Sequence, residues 1–192
     1  MTRHPFIAAL ATGGFLLAAV AQANAVVVVV GSSIAHSCFV AAKTGANAVD
    51  GIGLCSEALK EEGLSPHDEA GTHVNRGVLE NILGQQDNAL SDFNEALSIY
   101  PLGDAYIDRG ATLISLSRYD EAMVDINKGI DLGPSYPHIG YYNRAVAEEL
   151  MGRWKESYYD FKHVLELEPN FTKASDQLKN FIVTTTTKPA PS

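Results

Sequence analysis

The tripeptide Asn75-Arg76-Gly77 returns twice along the chain, as Asp108-Arg109-Gly110 and as Asn143-Arg144-Ala145. A small residue and then a proline follow each copy: Ala89 and Pro101, Ala122 and Pro134, Ser157 and Pro169. The prolines lie 33 and 35 residues apart. A period of this length is typical of stacked supersecondary units rather than of one globular core. Such arrays usually present binding surfaces, so the period already disfavours catalysis.

Each unit is predicted to form two helices joined by a short turn. Apolar residues recur at helical spacing before and after the turns at Gly84, Ser117 and Gly152. They fall on more than one stripe of each helix, as expected when a hairpin is packed between neighbours. The predicted units span residues 70–102, 103–136 and 138–171.

These units resemble the tetratricopeptide repeat. The segments YDEAMVDINKGIDLGP (119–134) and WKESYYDFKHVLELEP (154–169) are close to the second helix of that family. The family also places a small residue on the first helix, facing a bulky residue on the second. The matching positions here are Gly77 and Phe93, Gly110 and Ile126, and Ala145 and Phe161. The resemblance implies an all-α, right-handed α–α superhelix.

A degenerate unit is predicted at residues 32–66, because Cys55-Ser56-Glu57-Ala58-Leu59 mirrors Phe93-Asn94-Glu95-Ala96-Leu97. A linker over Leu64 to Asp68 should follow it. Aligned on the next unit, Cys38 and Cys55 face each other across a hairpin, which implies a structural disulfide. A redox pair is the alternative, although the spacing is not Cys-x-x-Cys.

The two ends of the chain have their own signatures. Residues 1–25 have the layout of a cleavable signal peptide, with Arg3, an apolar stretch and Ala23-Asn24-Ala25 before the cut. An uncleaved membrane anchor is the alternative, since the apolar stretch continues to Val30. Residues 172–183 are predicted to form a capping helix, and residues 184–192 a disordered tail.

Charge and composition exclude several classes of function. The formal net charge is −9, and no basic cluster is present, so nucleic acid is not an expected partner. A membrane would be involved only if the N-terminal segment were retained. No motif for a nucleotide, a cofactor or a catalytic site is found. The histidines are scattered, His67 and His73 are expected at the surface, and no metal ligands are predicted.

The arginine of each tripeptide has an aspartate sixteen residues later. Because the second helix returns antiparallel to the first, the two can meet across the hairpin. We expect structural ion pairs; an arginine cluster that recognises an anionic ligand is the alternative. The predicted pairs are Arg76 with Asp92, Arg109 with Asp125, and Arg144 with Asp160.

The family resemblance places the first helices along a concave groove. Lysines that hold a C-terminal carboxylate in some members are absent from these positions. The groove should suit an amphipathic helix or an extended apolar segment. Two alternatives remain open: some of these residues belong to the core, or Val26 to Val30 fold back into the groove of their own or a neighbouring chain. The implied lining is Val74, Val78, Asn81, Ile107, Ala111, Ile114, Tyr142, Val146 and Glu149.

These observations predict a non-catalytic protein–protein interaction module. It would be a scaffold or adaptor of the bacterial cell envelope, exported and periplasmic, that binds another protein or a peptide without a cofactor. The alternative is a self-associating structural protein. A hydrolase or metalloenzyme is the third class, and no catalytic constellation favours it.

Overall fold

The computed structural model describes residues 6–9, 24–29, 33–61 and 63–184 of the 192-residue chain. Within these ranges the chain forms helices and one pair of short strands. The helices are α1 Ser33–Thr44, α2 Ala48–Glu61, α3 Pro66–Ile82, α4 Gln86–Ile99, α5 Gly103–Ser115, α6 Tyr119–Asp131, α7 Pro137–Leu150, α8 Trp154–Leu167 and α9 Thr172–Leu178. The strands are β1 Phe6–Ala9 and β2 Phe181–Thr184.

Consecutive helices pair as antiparallel hairpins, and each hairpin packs on the next. The second helix of every hairpin contacts the first helix of its successor, and α1, α3, α5 and α7 also contact one another in sequence. The first helices therefore form one layer and the second helices another. The result is the predicted right-handed α–α solenoid.

A left-handed backbone residue ends the first helix of each repeat. Gly84 and Gly152 have φ of +73° and +74°, and Ser117 takes the same conformation with φ of +60°. Glycine enters this region without the Cβ clash that other residues incur. The three turns predicted from sequence thus share one conformation, although the middle repeat makes it with serine.

Close approach of the paired helices depends on the small residue of the tripeptide. A Cβ atom added to Gly77 would lie 2.8 Å from the ring of Phe93, and one added to Gly110 would lie 2.6 Å from Ile126. Phe93 and Ile126 are fully buried. The bulky residue of the second helix therefore fills the space that the missing side chain leaves.

The three arginine–aspartate pairs are formed with the same bidentate geometry. Arg76 Nε lies 2.7 Å from Asp92 Oδ2, and its second terminal nitrogen lies 2.7 Å from Oδ1. The matching pairs have distances of 2.7 and 2.8 Å for Arg109 with Asp125, and 2.6 and 2.9 Å for Arg144 with Asp160. Two nitrogens of each guanidinium group are thus occupied within its own hairpin, which disfavours the alternative of a ligand-binding arginine cluster.

Each arginine also reaches the preceding hairpin. The remaining terminal nitrogen donates to Ser56, Asn94 or Asn127, at 3.0, 2.7 and 2.8 Å respectively. Those residues lie on α2, α4 and α6, the second helices of the preceding hairpins. One side chain therefore joins two helices of its own repeat to a helix of the repeat before it.

A histidine replaces a tyrosine beside the first of these pairs. The guanidinium groups of Arg109 and Arg144 lie over the rings of Tyr106 and Tyr141. At the equivalent position of the first repeat, His73 Nδ1 lies 2.8 Å from Asp92 Oδ1. The expectation that His73 is a surface residue is wrong, because only 13% of its side chain is exposed.

The disulfide between Cys38 and Cys55 joins α1 to α2 in the N-terminal hairpin, as expected, and both residues are fully buried. The start of the next hairpin differs from the prediction. Helix α3 begins at Pro66, inside the predicted linker. Ser65 accepts a hydrogen bond from the amide of Asp68 at 3.2 Å, so Ser65-Pro66 forms an N-cap followed by a first-turn proline.

The C-terminal end also departs from the prediction. The capping helix ends at Leu178 rather than at residue 183, and Phe181 begins β2, which pairs antiparallel with β1. The β-branched residues Ile182, Val183 and Thr184 favour a strand over a helix. Phe6 to Ala9, within the predicted signal peptide, form the partner strand, so both segments obtain backbone hydrogen bonds. Residues 1–5 and 10–23 of that peptide, and the tail beyond Thr184, lie outside the described residues.

Breaking the disulfide should destabilise the protein without changing its fold. The two cysteines are 17 residues apart, and closing a loop of this size in the unfolded chain corresponds to about 3 kcal/mol. The double substitution Cys38→Ala, Cys55→Ala should lower the free energy of unfolding by that amount in urea titrations. Reducing agent should lower it similarly in the wild type and not at all in the variant; equal stability of all forms would contradict a structural role.

Loss of one internal arginine should cost far more than loss of an exposed one. Arg109→Met leaves the mostly buried carboxylate of Asp125 without its cation, which should lower the free energy of unfolding by about 3 kcal/mol. Arg118→Met removes an ion pair with Glu121 whose partners are 46% and 59% exposed, and should change the free energy of unfolding far less, because water screens this pair. Similar losses in chemical denaturation would show that the internal pairs do not organise the array.

Two glutamates beside the ion pairs should make stability fall with increasing pH. Burial, followed by the nearby carboxylates of Asp92 and Asp160, raises the pKa of Glu80 and of Glu148 to about 7. The folded chain therefore binds more protons than the unfolded chain between about pH 4.5 and pH 7, and its stability declines across that window. Glu80→Gln, Glu148→Gln should match the wild type near pH 5 and exceed it at pH 8.

The exposed Glu95→Gln substitution is the control for removing a negative charge from a helix surface. The middle repeat has Leu113 at the position of Glu80 and Glu148, so the array does not need a carboxylate there. Unfolding curves with the same pH dependence in the double variant and the wild type would contradict the assignment.

Candidate functional site

Residues 24–29 form neither helix nor strand and contact the first helices of the array. Ala25, Val26, Val27 and Val29 are buried, whereas Val28 is 47% exposed. Val26 and Val27 belong to the same buried cluster as Val74 and Val78, and Val29 packs with Ala35 and Ala58. The segment therefore packs against the N-terminal hairpin and α3 of its own chain, as in the alternative in which the valines fold back. Val30, the last residue of that run, lies outside the described residues.

Asn75 holds the backbone of this segment in the manner of a neighbouring β-strand. The amide of Val27 donates to Asn75 Oδ1 at 3.1 Å, and Asn75 Nδ2 donates to the carbonyl of Val27 at 2.9 Å. Asn75 is fully buried, so these bonds are made away from water. A carboxamide can offer a donor and an acceptor side by side, which is what one extended residue requires.

The equivalent residue of the next repeat, Asp108, holds the segment two residues earlier. The amide of Ala25 donates to Asp108 Oδ1 at 3.0 Å. Asp108 is fully buried, and its Oδ2 atom has no hydrogen-bond partner among the described residues. Burial raises the pKa of this carboxyl well above its usual value.

A glycine on α3 makes room for the valines. A Cβ atom at Gly71 would lie 2.8 Å from Cγ1 of Val27 and 3.3 Å from Cγ2 of Val29. Both contacts are too short for an unshifted side chain, so a larger residue would displace the segment. Gly71 lies four residues before Asn75, on the same side of the helix.

The predicted groove residues divide between this contact surface and the core. Val74 and Val78 are fully buried in the cluster that contains Val26 and Val27. Asn81 does not line an open groove, because its Nδ2 atom donates to Thr112 Oγ1 of the next repeat at 2.8 Å. Val146 and Glu149 remain partly exposed, and burial raises the pKa of Glu149.

The remaining groove residues are core residues, which corrects the expectation for them. Ile107 points between α6 and α7, where Cβ atoms at Gly129 and Gly140 would lie 2.7 and 2.9 Å from it. The ring of Tyr142 packs against Phe161 and Phe171, with centroids 5.7 and 5.2 Å apart. Ile114 and Ala111 are also buried. On a helix that contacts three neighbours, periodicity alone does not tell a groove position from a junction position.

Sequence reasoning missed Asn75 and Asp108, although their signal was present. They are the first residues of the repeated tripeptide, and the third repeat has Asn143 at the same position, also buried. A buried carboxamide or carboxylate repeated in register on the first helix indicates a polar contact that each repeat must satisfy.

A shallow depression of about 400 Å³ lies elsewhere, beside α4, α5 and α6, and is lined by Arg109, Arg118, Glu121 and Asp125 among others. Its charged groups are paired with each other, so it does not form a site for general acid–base chemistry. Among the described residues, no three His, Cys, Asp or Glu side chains are grouped so that they could hold a metal ion. No helix in the described ranges is both long and apolar enough to cross a bilayer.

Comparisons with known proteins agree with this architecture. No family model and no curated protein match the chain. Among solved structures, "Crystal structure of MamA" superposes with a TM-score of 0.60 at 15% identity, covering 78% of this chain and 82% of that chain.

Two further structures are tetratricopeptide-repeat domains with bound peptides. The first such domain of Spaghetti (RPAP3), bound to the HSP90 peptide SRMEEVD, has a TM-score of 0.56 at 24% identity and covers 59% of this chain and 92% of that chain. The second domain of human RPAP3, in complex with the HSP70 peptide SGPTIEEVD, has a TM-score of 0.54 at 25% identity, with 60% and 96% covered. This chain therefore has the fold of a tetratricopeptide-repeat protein.

Proposed function

We propose that this chain is a non-catalytic protein-interaction module, a scaffold or adaptor. Its concave face, the side of α3 and α5 that carries Asn75 and Asp108, binds an extended segment of another protein. The observation that carries the proposal is the apolar segment at residues 24–29, whose backbone is held by Asn75 and Asp108. A surface that accepts one apolar segment through its backbone has the polar and apolar groups to accept another.

An extended ligand fits this surface better than a helical one. The amides and carbonyls inside a helix already bond to each other, so they cannot also bond to Asn75. An extended residue presents its N–H and C=O to one side, where Nδ2 and Oδ1 of Asn75 match both. Of the two ligand shapes expected from sequence, we therefore favour the extended one.

The side chains of the ligand should be small, apolar and without negative charge. Val27 fits against Gly71, where there is no space for a larger neighbour on α3. The chain carries a net charge of −9, and Asp108 lies in the contact surface. The RPAP3 domains bind peptides that end in Glu-Glu-Val-Asp; such acidic ends would meet carboxylates here, so a different peptide class is favoured.

A partner that binds this surface must displace residues 24–29. These residues therefore compete with any ligand, because only a ligand that makes more favourable contacts can replace them. The runner-up function follows from the same contacts made between molecules. If residues 26–30 of one copy entered the groove of the next, the chain would self-associate as a structural protein.

We further propose that the protein is exported to the cell envelope and cleaved after Ala25. The Cys38–Cys55 disulfide supports this location, since such bonds persist in oxidising compartments and are rare in the bacterial cytosol. The tetratricopeptide fold is generally used for protein interaction rather than for catalysis, and that supports the assignment of a non-enzymatic role.

Photocrosslinking in intact cells tests the proposed binding surface. A benzophenone amino acid at Glu149, partly exposed beside the concave face, should capture a partner that mass spectrometry identifies. The same group at Val124, which is 70% exposed on α6, is the matched control and should not capture it. Adding Asn75→Ala should remove most of the adduct, because the backbone contact is lost, whereas the exposed Asn88→Ala should not.

The outcomes separate the two candidate functions. An adduct between two copies of the chain would favour the self-associating protein. Capture from Val124 alone, or an adduct indifferent to Asn75→Ala, would contradict binding at the concave face. Circular dichroism of the purified variants checks that the helices are retained.

A further inference from the structure

Asp108 is the most poorly satisfied charged group on the concave face. It is fully enclosed, Oδ1 accepts one hydrogen bond from the amide of Ala25, and Oδ2 has no partner among the described residues. Burying a carboxylate without a cation or a full set of donors is costly. A positively charged donor at Oδ2 would remove this cost.

A second orphaned atom lies next to it in the chain. The side-chain oxygen Oδ1 of Asn24 is buried and also without a partner among the described residues. Both orphaned atoms occur where the backbone continues past Ala25 toward the N-terminus. Cleavage after Ala25 would remove Asn24 and convert the amide of Val26 into an α-ammonium group.

That ammonium group would arise within reach of the carboxylate. Successive residues of an extended chain are about 3.5 Å apart, so the nitrogen of Val26 is one residue from the nitrogen that Asp108 already binds. Once the chain begins at Val26, a small shift of this free N-terminus brings its ammonium group to Asp108. Its three donors can serve Oδ1 and Oδ2 together.

Asp108 is the exception among the equivalent residues of the three repeats, because the other two are carboxamides. Asn75 donates to and accepts from Val27, a residue inside the segment, and a neutral amide suffices there. Asn143 is likewise a carboxamide. In its ionised form Asp108 can only accept hydrogen bonds. It lies where the cleaved segment would begin, so the ionised carboxylate matches a cation rather than a peptide unit.

We infer that Asp108 is a buried acceptor for a primary ammonium group, and that its occupant is the α-ammonium group of Val26 in the chain cleaved after Ala25. This inference rests on the proposed export and processing. The ion pair fastens residues 26–29 into the concave face, so removal of the signal peptide completes the contact. A partner must then break this pair to displace the segment.

The experiment uses the exported chain and variants with altered N-termini. Intact-mass measurement of the protein secreted into a bacterial periplasm should show that it begins at Val26. Labelling of the α-amino group at a series of pH values should give a pKa at least about one unit above the ordinary value near 8, because the carboxylate favours the charged form. Nα-acetylation should lower the folding equilibrium constant at pH 7 at least about tenfold, which corresponds to one unit of pKa.

Two matched variants assign these effects to Asp108. In Asp108→Asn the pKa shift should disappear, and acetylation should no longer change the folding equilibrium. In Asp104→Asn both effects should persist, because Asp104, one turn earlier on α5, is bonded to Ser135 rather than to the segment. A chain that begins at Ala25 presents its ammonium at the nitrogen that Asp108 already binds, so it should show the same two effects.

Four results would overturn the inference: a different first residue, an unshifted pKa, equal stability of free and acetylated chains, or effects that survive Asp108→Asn. A mature chain that remains dimeric on dilution, and loses the effects when monomeric, would assign the ammonium to a neighbouring copy instead. These measurements need only the purified chain. Their failure is therefore distinguishable from failure of the crosslinking experiment.

Discussion

The bidentate bond between an arginine on the first helix and an aspartate on the second organises this array. Its cation neutralises a carboxylate that is largely removed from water, so neither partner can leave without exposing the other to an unfavourable environment. The same guanidinium group donates to the preceding hairpin through Ser56, Asn94 or Asn127. Pairing within a repeat and stacking between repeats are thus set by one planar group with five fixed donors.

The three residues of the repeated tripeptide make three different contacts, because successive helical residues are turned by about 100°. In the first repeat, Asn75 binds the segment at residues 24–29. Arg76 and Gly77 both meet α4, the first through an ion pair with Asp92 and the second by packing against Phe93. The residue that contacts the segment is therefore adjacent in sequence to the two residues that build the array. A change in one residue of the tripeptide need not disturb the contacts of the others.

The concave face differs from the apolar groove that the sequence suggested. Ile107 and Tyr142 are taken up by the junctions between hairpins, and what remains is a narrow surface with polar backbone contacts at Asn75 and Asp108. In this chain the surface is covered by residues 24–29. The free energy needed to displace these residues reduces the affinity for any partner. Affinity therefore depends on the state of the N-terminus.

The sequence alone determined the features that repeat. The period, the turn positions, the arginine–aspartate spacing and the facing cysteines are local or repeated patterns, and three copies in phase outweigh the ambiguity of any one. It also contains a weaker local signal, Ser65-Pro66, for the start of α3. What only the tertiary structure decided is which side of each first helix meets solvent, and that Val26 and Val27 cover it. That outcome depends on packing between segments far apart in the chain, where Gly71 leaves space and Asp108 lies 83 residues from the amide it binds, and no periodicity records such a match.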